Sequence, residues 1–177
     1  MASETTPATV VVPAQPISNG NFEEYLTTGS IAPWVNGTPG SGQIQVLNGI
    51  NPCTAGATYC AGGSVVVRVF PPTTAGSYAS LRQDFQARPS TTYTLGFLYR
   101  CVNNNGNAGI DVWYGGNRVG GITCAVGNSA NFVLASGILF TTDATGRGNM
   151  EIRFMYGSSV SPNLYFYADD FRATAVV

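Results

Sequence analysis

The side chains of this sequence that could do chemistry are carboxylates, arginines, tyrosines and hydroxyls. The 177 residues contain eight arginines and nine Asp and Glu residues, with no lysine and no histidine. A Ser-His-Asp triad, a Schiff-base lysine and a histidine-ligated zinc site are therefore excluded. The remaining groups suit binding and orientation of a ligand, because proton transfer near pH 7 is usually the work of histidine. We expect recognition rather than covalent catalysis.

Charge and hydropathy narrow the class of partner. The net charge is −1 and only 10% of residues are charged, so the chain lacks the basic field that holds nucleic acid or an anionic membrane. Apolar runs all stay well short of the roughly 20 residues that a membrane span requires. We expect one globular domain without a nucleic-acid partner or a membrane partner.

Four cysteines, Cys53, Cys60, Cys101 and Cys124, indicate the compartment. An even number in a lysine-free chain rich in Thr, Ser, Asn and Gly is typical of an oxidising environment. No signal peptide precedes them, so we expect the mature form of a secreted, extracellular protein. Of the three pairings, we favour a local Cys53–Cys60 clip and a Cys101–Cys124 bond between two strand-like runs. Four buried thiols remain the alternative.

The elements that must position these groups are short β-strands. Residues 1–16, rich in Thr, Ala, Val and Pro, are typical of a tail or linker with one edge strand at 9–12. From Ile17 onward, the residues alternate with period 2 in five runs, 65–69, 81–85, 93–99, 110–114 and 152–156. Turn signals separate the runs, and the pattern shows no long amphipathic helix. We therefore predict one all-β domain over 17–177, an antiparallel β-sandwich of jelly-roll type.

The alternation assigns one face of these strands to the core and the other to solvent. The predicted core face consists of Val65, Val67, Leu81, Phe85, Leu95, Phe97, Ile110, Val112, Ile152 and Phe154. The opposite set consists of Arg68, Arg82, Asp84, Leu98, Arg100, Asp111, Trp113, Glu151, Arg153 and Met155. Gln83 is in phase with the core and is predicted to be a buried amide with a structural hydrogen bond.

If the strands that carry these outward-facing residues share a sheet, the residues would form a polar surface with an aromatic platform. Such a surface suits a sugar, which stacks its C–H face on an aromatic ring and hydrogen-bonds through its hydroxyls. Two plainer interpretations stay open. In the first, Trp113 is a buried ring with no ligand contact. In the second, Arg100 and Arg153 form solvated cross-strand ion pairs with Asp111 and Glu151 and have no further role.

Three segments carry a family likeness. They are ISNGNFE from Ile17 followed by Pro33-Trp34, LRQDF from Leu81 followed by TYTL from Thr92, and YADDF from Tyr167. Together they resemble the carbohydrate-binding-module-like, galactose-binding-like jelly rolls, and secreted fungal versions most of all. The resemblance implies a ligand groove on the concave face of a sheet. It also implies that Trp34 packs beside the first strand, which we favour over contact with a ligand.

The resemblance further implies a structural calcium ion that ties the first strand to the last. The matching side chains are Glu23 and Asp169, with Asp170 as a further candidate, and backbone carbonyls would complete the set. Calcium takes six to eight oxygen ligands, so carboxylates at short range are chemically suitable. The alternative is that Asp169 and Asp170 lie at an ordinary strand end and bind backbone groups.

Three functions are weighed. The first is non-catalytic binding of a polysaccharide or oligosaccharide, by a lectin-like protein or an accessory module. Its candidate ligand-binding residues are Trp113, Arg100, Asp111, Arg153, Glu151, Arg68, Arg82, Tyr99 and Trp34. The second is a natural-product cyclase, such as a hetero-Diels–Alder catalyst, that holds a small apolar metabolite in a pocket with Arg68, Arg100, Arg153, Trp113 and Tyr99 as donors and walls. The third is an adhesive, protein-binding surface around Tyr165–Tyr167.

Overall fold

The structure, a computed structural model, describes residues 15–37, 42–48, 65–74, 76–104, 108–127, 131–156 and 163–176. In chain order the elements are α1 (Tyr25–Thr28), β1 (Val35–Asn36), β2 (Gln43–Asn48), β3 (Val65–Phe70), β4 (Tyr78–Gln86), β5 (Thr92–Val102), β6 (Gly109–Tyr114), β7 (Asn117–Thr123), β8 (Val133–Thr141), β9 (Arg147–Met155) and β10 (Tyr165–Ala175). Within these ranges, no helix has the length and apolar character needed to cross a membrane. The predicted edge strand at 9–12 and the Cys53–Cys60 pairing lie outside the described residues.

The strands form two five-stranded antiparallel sheets. Sheet I has the order β1-β4-β9-β6-β7, and sheet II has the order β2-β3-β10-β5-β8. Among the described strands, only the β2–β3 and β6–β7 pairs join neighbours in chain order. The predicted antiparallel sandwich of jelly-roll type is confirmed. Each sheet buries one face against the other because its side chains alternate between the two faces.

The core lies between the sheets and contains the predicted apolar face. Nine of the ten residues predicted there are buried, and Phe85 is half-buried and packed against the others. Phe154 of sheet I meets Phe166 of sheet II with ring centroids 5.4 Å apart. Each buried side chain of this size stabilises the fold by about 1.5–3 kcal/mol.

The segment before β1 is held to the last strand by aromatic packing. Phe22 and Trp34 both contact Phe171 of β10, with centroids 5.9 and 5.0 Å away. The Trp34 indole N–H donates to the Asn19 carbonyl at 3.1 Å. Gly20 lies so close to β10 that a Cβ there would be 2.0 Å from the Phe171 carbonyl oxygen. The close approach therefore requires glycine at position 20.

Two glutamine amides fasten the same segment to both sheets. Gln83 in β4 is buried, accepts from the Ser18 N–H at 2.9 Å and donates to the Ser18 carbonyl at 2.8 Å. The prediction of a structural buried amide is confirmed. Gln15 accepts from the Ala173 N–H of β10 at 2.8 Å. The chain is therefore already in contact with the sandwich at residue 15.

A disulfide joins Cys101 to Cys124, as predicted. Cys101 lies in β5 of sheet II, and Cys124 directly follows β7 of sheet I. Both sulfurs belong to buried residues, and the bond closes a span of 23 residues. The bond therefore crosses the sandwich and links the two sheets covalently.

Candidate functional site

The outer face of sheet I carries an open groove of about 570 Å³. Its lining residues are Gly37, Tyr78, Arg82, Asp84, Trp113, Gly115, Gly116, Asn149, Glu151 and Arg153. The volume lies within the roughly 300–1,000 Å³ typical of small-molecule and cofactor sites. Five of the predicted outward-facing residues thus line one groove, namely Arg82, Asp84, Trp113, Glu151 and Arg153.

Strand pairing explains why these side chains meet. Strand β9 runs between β4 and β6, so Glu151 lies opposite Arg82 on one side and Trp113 on the other. Two residues further along β9, Arg153 lies opposite Ser80 and Asp111. Because residues two apart in a strand point to the same face, these two rows form one continuous surface.

Arg153 is stacked between two aromatic rings at the centre of this surface. Its guanidinium carbon lies 4.4 Å from the centroid of the Tyr78 ring and 3.8 Å from that of the Trp113 ring. Its Nη2 also forms an ion pair with Glu151 at 2.7 Å. Both partners of this ion pair are largely shielded, since their side chains are 20% and 13% exposed. Cation–π contacts are stronger at shielded sites, so Arg153 is held firmly.

Three polar atoms on this face are buried without a hydrogen-bond partner among the described residues. They are Nε of Arg153, Nε1 of Trp113 and Oγ of Ser80. Buried polar groups are nearly always satisfied in native proteins, by the protein itself or by a bound molecule. Two unused N–H donors beside the groove are therefore a notable feature of the site.

The groove margin carries charges of both signs. Arg82 is exposed, and the described residues include no ion-pair partner for it. Asp84 accepts a hydrogen bond from the Asn149 amide on the neighbouring strand. Asp111, half-buried on the same face, pairs with Arg118 of β7 at 2.9 Å. The surface therefore offers hydrogen-bonding groups of both kinds around an aromatic centre.

The predicted cross-strand pairing of charges differs from the observed one. Glu151 and Arg153 are partners, but they lie two residues apart on the same strand. Asp111 pairs with Arg118 rather than with Arg100 or Arg153. Arg100 belongs to β5 of sheet II, on the far side of the sandwich from Asp111. Arg153 lies opposite Asp111, but its guanidinium is bonded to Glu151.

Arg68 and Arg100 lie on the outer face of sheet II and not in the groove. Arg68 lies over the rings of Phe70 and Tyr165, at 5.0 and 5.6 Å, and its Nη2 donates to Gln45 at 2.5 Å. Arg100 lies 5.7 Å from the centroid of Tyr167. The two sheets thus divide the predicted outward-facing set between two opposite surfaces.

Trp34 and Tyr99 lie inside the sandwich. Trp34 is 2% exposed and packs on Phe22 and Phe171, so the structure contradicts ligand contact and supports the core role that the resemblance implied. Tyr99 is half-buried against the main core, with its ring 6.2 Å from that of Phe97. Burial raises the pKa of the Tyr99 hydroxyl. Neither ring can act as a wall of the groove on sheet I.

The predicted calcium ligands lie near the start of the domain and the last strand. Asp169 is fully buried, its Oδ1 accepts from the Asp170 N–H at 2.7 Å, and its Oδ2 has no partner among the described residues. Burial, with the nearby Asp170 and Glu23 charges, raises the pKa of Asp169 to about 8. Glu23 accepts from the Val65 N–H at 2.9 Å, and Asp170 pairs with Arg172 at 2.7 Å. No cluster of three metal-binding side chains occurs among the described residues.

Sequence reasoning missed four contributors to this face. Tyr78, Ser80 and Asn149 continue the outward-facing phase of β4 and β9, so extending the period-2 pattern by a few residues would have found them. Arg118 could not have been found this way. A register shift between Val112 and Trp113 brings Arg118 opposite Trp113, and bulges of this kind leave little trace in the sequence.

Comparisons with known proteins support the fold. No protein-family model matches the sequence, and no curated protein matches it. Among solved structures, a family 61 carbohydrate-binding module in complex with β-1,4-galactotriose is 17% identical, with a TM-score of 0.59, over 92% of this chain and 99% of the module. A xylan-binding domain of family 22 is 11% identical, with a TM-score of 0.56, over 96% and 100% of the two chains.

A third neighbour has another role. The K2 cleaved adhesin domain of Lys-gingipain is 17% identical, with a TM-score of 0.55, over 87% of this chain and 96% of that domain. In all three cases nearly the whole domain is matched, so the chain has the β-sandwich fold that these carbohydrate-binding modules and this adhesin domain share.

Proposed function

We propose that this protein is a non-catalytic carbohydrate-binding domain whose ligand lies in the groove on sheet I. The observation that carries the proposal is the stack of Arg153 between Tyr78 and Trp113 on the floor of that groove. The fold likeness to modules solved with galactotriose or named for xylan adds support. The ligand class is a polysaccharide or an oligosaccharide derived from one.

The groove offers what a sugar requires. A pyranose has an apolar C–H face and an equatorial belt of hydroxyls, and it binds best where an aromatic ring is bordered by planar donors and acceptors. The half-buried Trp113 supplies the ring, although Arg153 covers part of it. Arg82 supplies an exposed donor, and Asp84 and Asn149 supply acceptors and an amide. The groove is open at the surface, which allows a polymer to lie across it.

The site is poorly equipped for catalysis. Both acidic residues that line the groove are bonded to a neighbouring side chain, Glu151 to Arg153 and Asp84 to Asn149. A cyclase of the kind considered from the sequence needs an enclosed apolar pocket, and the described cavities are both open to solvent. We therefore favour binding without turnover.

The direct test is retention of the purified protein on insoluble cellulose, xylan, galactan and chitin, together with a glycan array. We expect binding to at least one of these glycans. Trp113→Ala should abolish it, whereas Tyr165→Ala, which removes an aromatic ring from the opposite face, should not. Lack of binding to every glycan tested, or equal loss in both variants, would overturn the proposal.

We also propose that Asp169 and Glu23 hold a structural calcium ion with nearby backbone carbonyls. The unpartnered, fully buried Oδ2 of Asp169 supports this, because a cation would satisfy it and offset the repulsion from Glu23. Asp170 is less suited, since its carboxylate already pairs with Arg172. Excess calcium should raise the melting temperature relative to chelator in the wild type and not in Asp169→Asn. An identical melting temperature with calcium and with chelator would contradict the site.

We place the protein outside the cell. The Cys101–Cys124 bond supports this, because disulfides persist mainly in oxidising compartments. Labelling of free thiols in protein isolated from its native source would test it, and two reactive thiols at positions 101 and 124 would contradict it.

A further inference from the structure

A second and larger cavity opens at one end of the sandwich, beside the groove. This end pocket, of about 970 Å³, is lined by Asp84, Phe85, Gln86, Tyr114, Gly115, Asn117, Val119, Thr141, Asp143, Arg147, Gly148 and Asn149. It lies where the end of β4, the β6–β7 turn and the connection from β8 to β9 come together. The function proposed above makes no use of its other lining residues, beyond those it shares with the groove.

The floor of the end pocket is aromatic. Phe85 and Tyr114 are half-buried, with ring centroids 6.1 Å apart and ring planes inclined by 31°. Phe140 supports them from below, 4.8 Å from Tyr114 and 6.0 Å from Phe85. A Cβ at Gly148 would lie 2.6 Å from the Tyr114 ring and 2.9 Å from the Phe85 ring. A side chain at position 148 would therefore have to displace one or both rings from their present positions.

The rim of the end pocket is polar. Arg147, Asp143, Asn117 and Thr141 are exposed there. Asp143 accepts from the Thr145 N–H and hydroxyl, at 2.8 and 2.7 Å, and these bonds lower the pKa of its carboxyl. An apolar floor beneath a ring of hydrogen-bonding groups matches a ligand with one apolar face and hydroxyl edges.

The end pocket and the groove are adjacent and share part of their lining. Asp84, Asn149 and Gly115 line both cavities. The hydrogen bond from Asn149 to Asp84 lies at the boundary, with the Gly115 N–H donating to the Asn149 carbonyl at 3.1 Å. A chain-like ligand that passes from one cavity to the other would cross these hydrogen-bonding groups.

We propose that the end pocket is a second sugar subsite, so that one oligosaccharide chain runs from the groove over the Asp84–Asn149 boundary and places a further sugar unit on the Phe85–Tyr114 floor. This inference rests on the proposed function of the groove. It names the ligand as an extended oligosaccharide rather than a single sugar. Affinity should therefore rise with chain length beyond the units that the groove alone contacts.

The test is calorimetric titration with β-1,4-galacto-oligosaccharides and xylo-oligosaccharides of two to six units. The variants are Arg147→Ala, which removes a rim donor, and Asn117→Trp, which fills the mouth. Arg88→Ala is the matched control, because Arg88 is exposed and lines neither cavity. We expect Arg147→Ala to weaken the longer oligosaccharides about 3- to 10-fold, and Asn117→Trp to remove the gain from added units. Both should bind the shortest active oligosaccharide as the wild type does.

The outcomes separate the two proposals. One outcome is that the wild type binds oligosaccharides and all three variants show the same dependence of affinity on chain length as the wild type. That result would overturn the proposed end-pocket subsite and leave the groove proposal intact. A wild-type protein that binds no oligosaccharide and no polysaccharide would overturn the proposed function and this inference with it. Methyl NMR signals of Val119 that move only with the longer oligosaccharides would support the end pocket directly.

Discussion

The two outer faces of the sandwich carry the same kinds of side chain and use them differently. On sheet I, Arg153 lies between Tyr78 and Trp113 at the floor of an open groove. On sheet II, Arg68 lies over Phe70 and Tyr165. An arginine held against two aromatic rings is thus present twice, and only one of the two lines a described cavity.

The neighbours of each arginine account for the difference. The arginines of sheet II border a second buried cluster, formed by Val66, Leu98, Val102, Phe132 and Tyr167. Tyr167 is only 9% exposed, so its ring is part of the packing. The stack on sheet I is bordered instead by Arg82, Asp84, Glu151 and Asn149. The two stacked arginines therefore differ in their surroundings, which are polar on sheet I and apolar on sheet II.

One large expected effect concerns the disulfide bond that joins the two sheets. Replacing both Cys101 and Cys124 by alanine should lower the free energy of unfolding by about 2–4 kcal/mol, because the unfolded chain regains the freedom that the cross-link removes. Thermal unfolding followed by circular dichroism measures the loss. Ligand affinity at low temperature should not change, since neither cysteine lines the groove. A loss of affinity in the folded double variant would show that the two sheets are coupled in function as well as in stability.

The matched pair Arg153→Ala and Arg68→Ala tests the comparison itself. Each variant removes a guanidinium from two aromatic rings, and each should cost about 1–2 kcal/mol of stability. Only Arg153→Ala should weaken sugar binding, by about 10- to 100-fold, because it also leaves Glu151 without its ion-pair partner in the groove. Denaturant titration and calorimetry measure the two quantities. Equal weakening of binding by both variants would mean that the faces are not distinct.

Asp169, which belongs to sheet II, predicts a pH dependence of stability. Its pKa is raised from 3.8 to about 8 in the folded protein, so between these values the folded state binds more protons than the unfolded state. Stability in chelator should therefore fall as pH rises from about 4 to about 8, by at most about 1.4 kcal/mol per pH unit. Melting temperatures across this range should show the fall in the wild type and a flatter profile in Asp169→Asn. The same slope in both would assign the dependence to another group.

Arg82→Ala should give the smallest effect. Arg82 is exposed at the groove margin, so its removal should change stability by less than about 0.5 kcal/mol. Binding should weaken about 3- to 10-fold, as expected for one donor to a sugar hydroxyl. Arg88→Ala serves as the control because Arg88 lies off the groove. Unchanged binding in Arg82→Ala would confine the sugar to the Trp113 side of the groove.

Local patterns predicted the fold well. The period-2 alternation identified the core face, the in-phase polar residue Gln83 proved to be a structural amide, and the Cys101–Cys124 pairing followed from two strand-like runs. Each of these depends on residues close in sequence or on a small number of combinations. The physical basis is the alternation of side chains along a strand, which any sequence displays directly.

Division of the strands between the sheets was beyond the reach of these patterns. Arg100 and Arg153 were both predicted to face outward, yet they lie on opposite surfaces. The reason is that β5 pairs with β8 and β10 in sheet II, while β9 pairs with β4 and β6 in sheet I. Pairing between strands distant in the chain depends on the packing of the whole sandwich. For the same reason the end pocket, which draws on four separate segments, was not foreseen.

Gly148 is a single position at which a substitution would alter the shape of the end pocket. A Cβ at this position would lie within 3 Å of both the Tyr114 and the Phe85 rings, so a single substitution would rearrange the floor of the pocket while the groove residues stay as they are. Under the proposed function, related sequences with another residue at position 148 would differ in their reach along a polymer while keeping the groove. The identity of residue 148 would then sort such sequences into those that recognise short stretches of a glycan and those that recognise long ones.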